Sequence, residues 1–425
     1  MDLVLKDYQK EGVKWLASRK RALLADDCGL GKTVQVIKAC DELKLINILI
    51  ICPSSAKHNW ANEFETWSRN YSFSVKDKLS DRPSRKMVCS YNYATELFRD
   101  LGNMEWDLVC IDESHFLKCP KSKRAKNILG KEGIVHKAKR IWMLSGTPAP
   151  NDYSELWTTL YTFGMTKLGF KKFREKFCVV ISTNYGTKII GNRTEMIPEL
   201  KSILKKIMFR RLKSNVIDLP PINYIDIEVK PNRIPIDVTI NTEKVAILRN
   251  RIENIVNEEE LLPMARSMAE LRKCNVLEKL IAATNLVRDL VHKGKKVVIF
   301  GIHKEALFKL FNSFSVFNPV GITGDTPSFI RQKNIEKFQN DPECKIFIGN
   351  IVAAGTAITL TAAHEMVFIE QDWVPGNNAQ AVMRCHRIGQ ENPVNVRILQ
   401  IKDSVDDKIN GILSRKTKEL VALLD

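Results

Sequence analysis

Eight short segments of the 425-residue chain are apolar throughout, and they constrain the fold more than any other feature of the sequence. A strand with one face in water alternates apolar and polar residues. These segments do not alternate, which is typical of strands that are covered on both faces. The segments are RALLAD (21–26), NILIICP (47–53), DLVCIDE (107–113), RIWMLSG (140–146), KVVIFG (296–301), KIFIGN (345–350), MVFIEQ (366–371) and NVRILQ (395–400).

Helical patterns lie between the apolar segments, so the sequence predicts an α/β fold with parallel sheets. The segments fall into two blocks, about 1–150 and 290–400, and the Lys- and Arg-rich stretches between the blocks look mostly helical. A Pro-marked break, NVIDLPPINY at 215–224, is the candidate hinge between two lobes. The last segment, residues 404–425, has the pattern of one amphipathic helix.

The charge balance favours a polyanionic partner. The net charge is +17, from 66 Lys and Arg against 49 Asp and Glu. Nucleic acid is the first such partner to consider, and a basic but otherwise ordinary enzyme is the alternative.

The composition also indicates the compartment. No apolar run approaches the roughly 20 residues that span a membrane, and the N-terminus lacks a signal-peptide apolar region. None of the ten cysteines forms a C-x-x-C pair, which argues against a zinc site and fits a reducing compartment. We expect an intracellular protein without membrane contact, in the cytoplasm of a bacterium or virus-infected cell or in a eukaryotic nucleus.

A phosphate-binding loop is indicated by LLADDCGLGKT, residues 23–33, between a strand and a helix. Gly29 and Gly31 allow the backbone N–H groups to point at phosphate oxygens. Lys32 would reach the β- and γ-phosphates, and the Thr33 hydroxyl would bind Mg²⁺. The strict motif has a Gly where this sequence has an Asp. The alternative is a Gly-rich turn with an incidental lysine.

Two adjacent acids follow another apolar strand in VCIDESHFLK, residues 109–118. Beside a phosphate loop, Asp112 would face Mg²⁺ through a coordinated water. Glu113 would orient and deprotonate the attacking water. The alternative is a pair of surface acids at a strand end, although both motifs follow apolar strands, where open α/β sheets bind ligands.

Two arginines in QAVMRCHRIGQ, residues 380–390, are further candidates for the phosphate chemistry. Arg384 and Arg387 are three residues apart and would share one face of a helix. From the second block they would neutralise charge on a transferring phosphoryl group. The alternative is a basic helix face on a basic protein.

Together these stretches resemble the Swi/Snf-related ATPases of helicase superfamily two, in the family's order and over nearly the whole chain. LKDYQKEGVKWL (5–16) looks like the adenine-reading segment, and ADDCGLGKT is similar to the family's ADEMGLGKT, which accounts for Asp26. Five further stretches resemble family motifs: ICPSSAKHNWANEFETW (51–67), SGTPAPN (145–151), MFRRLKSNVIDLPP (208–221), IVAAGTAITLTAA (351–363) and QAVMRCHRIGQ.

The resemblance implies two RecA-like lobes with parallel sheets, helical protrusions and a C-terminal brace helix. The first lobe would span 1–218, with its protrusion at about 152–212. The second would span 219–425, with its protrusion at about 240–291 and the brace helix at about 404–425.

The resemblance also implies roles for individual residues. The catalytic set would be Lys32, Asp112, Glu113, Gln380, Arg384 and Arg387. ATP would contact Gln9, Asp27, Gly29, Gly31, Lys32, Thr33 and Gly355, and Mg²⁺ would be held by Thr33 and Asp112. Coupling would involve His115, Ser145 and Thr147, and DNA contacts would involve Ser54, Ser55 and Lys57.

The sequence looks most similar to the annealing-helicase branch. Four stretches carry this resemblance: DESH (112–115), PSS (53–55), RRLK (210–213) and DWVPGNNAQ (372–380). Met383 departs from the family, which commonly has an acid there. The implied function is a DNA-stimulated ATPase that uses ATP and Mg²⁺, translocates on duplex or branched DNA, and remodels or anneals forks without unwinding them. With no chromatin-reading or zinc module in the sequence, we expect a motor without accessory domains.

Other functions stay open. They are a chromatin or protein-displacing remodeller with partner subunits, a strand-separating DNA or RNA helicase, and a nucleotide-gated DNA clamp with little turnover. The Lys- and Arg-rich segment 118–140 would either contact phosphate or form a solvated face. Trp60, Phe64 and Trp67, at helical spacing, are expected in the core.

Overall fold

The computed structural model describes residues 4–68, 70–183, 186–230, 265–354, 358–402 and 404–425. The chain divides into two compact units, residues 1–218 with 418–425, and residues 219–417. Each unit contains a sheet in which every strand pairing is parallel, with helices packed against it. The predicted α/β fold class is confirmed.

The first unit is built on a seven-stranded sheet with the order β3-β4-β2-β5-β6-β1-β9. Its strands are β1 (Arg21–Leu24), β2 (Ile48–Cys52), β3 (Ser74–Lys76), β4 (Lys86–Ser90), β5 (Leu108–Asp112), β6 (Arg140–Leu144) and β9 (Met208–Phe209). Its helices are Asp7–Ala17, Lys32–Leu43, Lys57–Trp67, Tyr91–Glu96, Phe98–Asn103, Lys123–Leu129, Trp157–Thr162, Phe170–Phe177 and Ile197–Leu204.

Two apolar cores explain why the strands of the first unit do not alternate. Successive side chains of a strand point to opposite faces of the sheet. Leu23 and Ile111 belong to one core, whereas their neighbours Leu24 and Cys110 belong to the other. Because both faces are covered, the central strands carry apolar residues at consecutive positions.

The stretch between residues 156 and 212 is not mostly helical, contrary to the sequence-based expectation. Strands β7 (Cys178–Thr183) and β8 (Gly186–Asn192) form an antiparallel hairpin, and β9 joins the main sheet beside β1. The sequence CVVIST of β7 is rich in β-branched residues, which favour strands. That local preference for strand outweighs the helical pattern of the stretch.

The second unit is built on a six-stranded sheet with the order β10-β15-β14-β11-β13-β12. Its strands are β10 (Ile222–Glu228), β11 (Val297–Gly301), β12 (Val320–Ile322), β13 (Ile346–Asn350), β14 (Glu365–Phe368) and β15 (Val394–Gln400). Its helices are Ala265–His292, Lys304–Ser313, Ser328–Asn340, Ile351–Ala354 and Pro375–Val382, and the helix Val405–Leu424 begins in this unit.

The second sheet is also covered on both faces. Val297 and Ile299 lie in one apolar core, and the alternating neighbours Val298 and Phe300 lie in another. Of the stretch expected to form a helical protrusion at about 240–291, residues 240–264 lie outside the described residues, and the rest belongs to the helix Ala265–His292.

The C-terminal segment ends in the first unit, whereas the sequence predicts all of 219–425 in the second lobe. Residues 418–425 belong to the first unit because Leu420 and Leu423 are part of its core. The Tyr153 hydroxyl also donates a hydrogen bond to the Glu419 carbonyl at 2.8 Å. The apolar pattern shows the helix but carries no information about which core receives its last turns.

All ten cysteines are free thiols. Among the described helices, none combines the length and the apolar character that a membrane crossing requires.

Candidate functional site

The predicted phosphate loop lies between the end of β1 and the helix Lys32–Leu43. Gly29 and Gly31 have φ angles of 92° and 74°, a region that glycine enters without steric cost. Gly31 is the residue that precedes the helix, and no side chain caps the first turn. The N–H groups of that turn therefore point out of the helix at an end that favours anions.

Lys32 lies at the first position of this helix and closes the loop on itself. Its ammonium donates hydrogen bonds to the carbonyl oxygens of Asp26 at 2.7 Å and of Asp27 at 3.3 Å. Thr33 is the next residue and is half-buried. The Lys32 ammonium lies close enough to Asp112 to lower the pKa of that carboxyl group, although burial has the larger and opposite effect.

Gln9 packs directly against the loop. Its side chain accepts a hydrogen bond from the Lys6 N–H at 3.0 Å and donates one to the Leu30 carbonyl at 3.4 Å. A Cβ atom at Gly31 would lie 2.5 Å from Gln9 Nε2. Gly31 is therefore required both by its backbone conformation and by the approach of Gln9.

Asp26 is fully buried and forms an ion pair that sequence reasoning missed. Arg211 donates to its two oxygens at 3.1 and 2.5 Å, and Gln35 donates to it at 3.0 Å. Arg211 also donates to Gln35 Oε1 at 2.8 Å and to the Tyr8 carbonyl. The Asp in place of the first motif Gly therefore joins the loop to the helix Asp7–Ala17 and to the segment after β9.

Asp27 is engaged with the same segment. The sequence predicts an ATP contact for it, and in the structure its carboxylate accepts a hydrogen bond from the Lys213 N–H at 3.0 Å. The Arg210 guanidinium lies 3.4 Å from the other Asp27 oxygen and 2.7 Å from Asp425. The RRLK stretch was visible as a motif, but nothing in the sequence shows that its two arginines bind the two aspartates of the loop.

Asp112 is the last residue of β5, and aromatic side chains fix its position. Trp60 donates its indole N–H to Asp112 Oδ2 at 2.8 Å. The Tyr91 hydroxyl donates to the carbonyls of Asp112 at 2.6 Å and Glu113 at 3.1 Å. Burial, and then the neighbouring Glu113 charge, raise the pKa of Asp112. Trp60 and Phe64 lie in the core as expected, but no sequence signal shows the contact of Trp60 with Asp112.

Glu113 follows in the left-handed region, with φ of 52°. Its Oε2 atom is buried and accepts no hydrogen bond among the described residues. His115 Nδ1 lies 3.4 Å from this oxygen. Backbone strain and an unsatisfied carboxylate oxygen are both costly, and both are typical of functional positions.

His115 lies between Glu113 and the SGTP segment. Its Nδ1 is 3.0 Å from the Ser145 hydroxyl, which also accepts a hydrogen bond from the Thr147 N–H at 3.2 Å. Burial, and then the Lys118 charge, lower the pKa of His115 to about 4. The imidazole is therefore neutral at pH 7, so its link to Ser145 is a hydrogen bond between neutral groups.

In the second unit Arg384 and Arg387 do not lie on a helix, contrary to the sequence-based expectation. The helix Pro375–Val382 ends before them, and they occupy the turns that follow. Both still meet at one point, because both guanidinium groups donate to the Ile358 carbonyl, at 3.5 and 3.2 Å. Gln380 is buried, and its backbone carbonyl accepts from Arg384 at 3.1 Å. Gly355 lies outside the described residues.

The three predicted DNA contacts differ in exposure. Ser54 is exposed and Ser55 is half-buried. Lys57 is buried, and its ammonium pairs with Asp77. Because this ammonium already has a counter-charge inside the fold, the structure favours the two serines over Lys57 as phosphate contacts.

The residues of the first unit fit a nucleoside triphosphate with Mg²⁺. An uncapped helix start, two glycines with positive φ and the Lys32 ammonium suit phosphate oxygens. The unsatisfied Glu113 oxygen suits a water molecule. Thr33 and Asp112 supply the hydroxyl and carboxylate oxygens that Mg²⁺ prefers.

The parallel sheet, the loop at the end of β1 and the acids at the end of β5 define a nucleotide-binding unit of the RecA-like class, followed by a second α/β unit. The SNF2-related domain family matches residues 8–276, and the helicase conserved C-terminal domain family matches residues 272–389. The chain belongs to the SNF2-related family, as its sequence motifs predict.

Several relatives align over nearly the whole chain. The SWI/SNF-related matrix-associated actin-dependent regulator of chromatin subfamily A-like protein 1 of Xenopus laevis is 32% identical, over 98% of this chain and 44% of the relative. The DNA annealing helicase and endonuclease ZRANB3 of Bos taurus is 30% identical, over 97% of this chain and 40% of the relative. The chain thus spans less than half the length of these curated relatives. The solved Sulfolobus solfataricus SWI2/SNF2 ATPase core in complex with dsDNA is 24% identical with a TM-score of 0.46, over 100% of this chain and 96% of that chain.

The ion pair of the loop generates a prediction about stability. Asp26→Asn is expected to lower the free energy of unfolding by about 3–5 kcal/mol, because it leaves the Arg211 guanidinium buried without its counter-charge. Urea titration followed by tryptophan fluorescence measures the change. The double variant Asp26→Asn/Arg211→Met is expected to regain part of the loss.

The matched control is Glu96→Gln, which breaks the exposed pair of Glu96 with Lys123. That change is expected to cost less than about 1 kcal/mol. Equal losses in Asp26→Asn and Glu96→Gln would contradict the importance assigned to the buried pair.

Proposed function

We propose that the chain is a DNA-stimulated ATPase. The observation that carries this proposal is the Glu113 carboxylate, one oxygen of which is buried and has no hydrogen-bond donor among the residues that the structure describes. It lies next to Asp112, and Asp112 lies within electrostatic reach of Lys32 on the phosphate loop. A strained, desolvated base beside a phosphate loop suits the activation of a water molecule for attack on phosphorus.

The residues of the first unit divide the work of this reaction. Lys32 releases the loop carbonyls of Asp26 and Asp27 and binds phosphate oxygens instead. Gln9, held against the loop, presents its side-chain amide to the adenine ring of ATP. Glu113 accepts the proton of the attacking water. Mg²⁺, held by Thr33 and Asp112, would neutralise phosphate charge. Arg384 and Arg387 of the second unit are proposed to stabilise the charge on the transferring group.

The nucleic acid is proposed to be duplex or branched DNA. The net charge of +17 suits a phosphate backbone, and one relative is named a DNA annealing helicase and endonuclease. We therefore place the chain among motors that translocate on duplex DNA and remodel or anneal forks. Contacts through Ser54 and Ser55, further protein partners that target the motor, and an intracellular location belong to the same proposal.

A second candidate function is a chromatin remodeller motor. The Xenopus laevis relative is named as a regulator of chromatin, which supports this alternative. The two functions share the ATPase site and differ in the DNA substrate that stimulates it most.

Two substitutions and a panel of nucleic acids test the ATPase proposal. Glu113→Gln is expected to lower kcat by about 10²–10⁴-fold, because the base is lost while the phosphate loop is intact. Lys32→Ala is expected to weaken ATP binding as well. ATP hydrolysis is measured without nucleic acid and with single strands, duplex, forked DNA, nucleosomes and RNA.

The proposal expects stimulation by duplex and more by forked DNA. The matched control for Glu113→Gln is Glu105→Gln, an exposed acid in the turn before β5, and it is expected to behave like the wild type. Stimulation by RNA alone, or the same rate with every nucleic acid, would contradict a DNA motor. A nucleosome preference would favour the remodeller.

The hydrogen bond between His115 and Ser145 generates a separate prediction. His115→Ala is expected to reduce DNA stimulation more than basal hydrolysis, because it removes the link between Glu113 and the SGTP segment. The ratio of the stimulated to the basal rate measures this effect.

Two further variants define the comparison for His115. His292→Ala, at an exposed histidine, serves as the control, and Ser145→Ala is expected to reproduce the effect of His115→Ala. An equal loss of both rates in His115→Ala would count against a coupling role.

A further inference from the structure

A cavity of about 330 Å³ lies in the first unit, away from the phosphate loop. Its walls include Arg21 and Ile141, which lie at the starts of β1 and β6, and residues of the helices Lys123–Leu129 and Trp157–Thr162. The phosphate loop follows the other end of β1. The cavity and the loop are thus at opposite edges of the sheet, roughly 10 Å apart along the strand. The volume is sufficient for a small ligand or part of a polymer.

The charged side chains that line the cavity are all basic. No Asp or Glu lines it, and no carboxylate of the described chain lies within ion-pair distance of its basic side chains. By contrast, the nearby Lys118, Lys123 and Lys139 each pair with an acid. The Arg21 guanidinium is occupied only by backbone carbonyls, at 3.1 Å from those of Lys20 and Lys139. The basic side chains that line the cavity are Arg21, Lys126, Lys131 and His136.

An aromatic pair lines the same cavity. The rings of Trp157 and Tyr161 stack with centroids 4.6 Å apart and planes 22° from parallel. The Trp157 indole N–H donates a hydrogen bond to the Leu168 carbonyl at 2.8 Å, and this bond fixes the orientation of the indole ring. Tyr161 also lines the cavity and is 44% exposed, so part of its side chain is accessible to a ligand.

We propose that this cavity binds single-stranded DNA, with a base stacked on Tyr161 and the backbone phosphates on Lys126 and Lys131. A flat ring beside unpaired cations is the combination that single-strand binding uses, because every base has a π-face and every nucleotide a phosphate. An acidic peptide would satisfy the cations but has no need of a fixed stacked pair. This inference deepens the proposed function, and rests on it for the choice of DNA, since a single strand is what a fork exposes beside its duplex.

The stacking half is tested by substitution of Tyr161 in the full chain. Binding of a fluorescent oligothymidylate of about 12 nucleotides is measured by anisotropy without ATP. Tyr161→Ala is expected to weaken binding roughly 5- to 150-fold, whereas Tyr161→Phe keeps the ring and is expected to bind like the wild type. An unchanged affinity in Tyr161→Ala would overturn the proposal.

The phosphate half is tested through the salt dependence of the same binding. The slope of log affinity against log salt concentration is negative. In Lys126→Ala/Lys131→Ala its magnitude is expected to be smaller by about 1.4, because each phosphate contact with a single strand contributes about 0.7. The control is Lys121→Ala/Lys137→Ala, which removes two exposed lysines of the same segment outside the cavity. Equal slopes in the two double variants would show a diffuse basic surface and overturn the proposed site.

The alternative occupant and the proposed function are separated by two further readouts. In a competition experiment, an oligoglutamate peptide is added to the bound oligothymidylate. If the peptide displaces it and binds wild type and Tyr161→Ala with equal affinity, the ligand of the cavity is an acidic peptide and the proposal is overturned. Basal and duplex-stimulated ATP hydrolysis are expected to be unchanged in Tyr161→Ala. Because binding is measured without ATP, a chain that fails to hydrolyse ATP would contradict the proposed function alone.

Discussion

The buried pair of Asp26 with Arg211 is the interaction on which the site of the first unit depends. A carboxylate with no exposed surface is tolerated inside a protein only if an opposite charge and further hydrogen bonds compensate it. Arg211 and Gln35 supply both, and Arg211 also binds the Tyr8 carbonyl. One pair thus fixes the phosphate loop, the helix that carries Gln9 and the segment after β9. A change at any of these three elements would be felt at the other two.

The second constraint is the way in which the acids at the end of β5 are positioned. Trp60 and Tyr91 come from different elements and bind Asp112 and the following carbonyl. Glu113 is left strained and with an unsatisfied oxygen. In the proposed ATPase, this difference between adjacent residues would assign Asp112 to Mg²⁺ and Glu113 to the attacking water.

Much of the fold could be predicted from the sequence because its strands are buried on both faces. All eight continuously apolar segments contain strands. The sequence also predicted that the phosphate loop and the two acids follow strands, and the loop follows β1 while Asp112 and Glu113 lie at the end of β5. Short strands such as β3 and β12 escaped prediction, since three residues give too little pattern. The partners of Asp26 and Asp112 also escaped, because Arg211 and Trp60 lie 185 and 52 residues away from them in sequence and local patterns carry no information about such pairs. The turns that hold Arg384 and Arg387 were mistaken for helix because spacing alone cannot show where a helix ends.

The two edges of the first sheet have different chemistry, and the difference follows from the direction of the strands. All strands are parallel, so one edge collects the C-terminal ends, with the glycine loop, the acids and the SGTP segment. The other edge collects the strand starts. There lie Arg21, the Trp157–Tyr161 stack and two lysines that have no acidic partner in the described part of the chain. Charges left without partners beside an exposed aromatic ring bring no stability to the fold, since an exposed lysine gains little from position and an exposed ring loses the benefit of burial. Their concentration around one cavity is therefore better explained by a ligand than by folding, and a phosphate-bearing strand is the ligand whose charge and flat bases match both features.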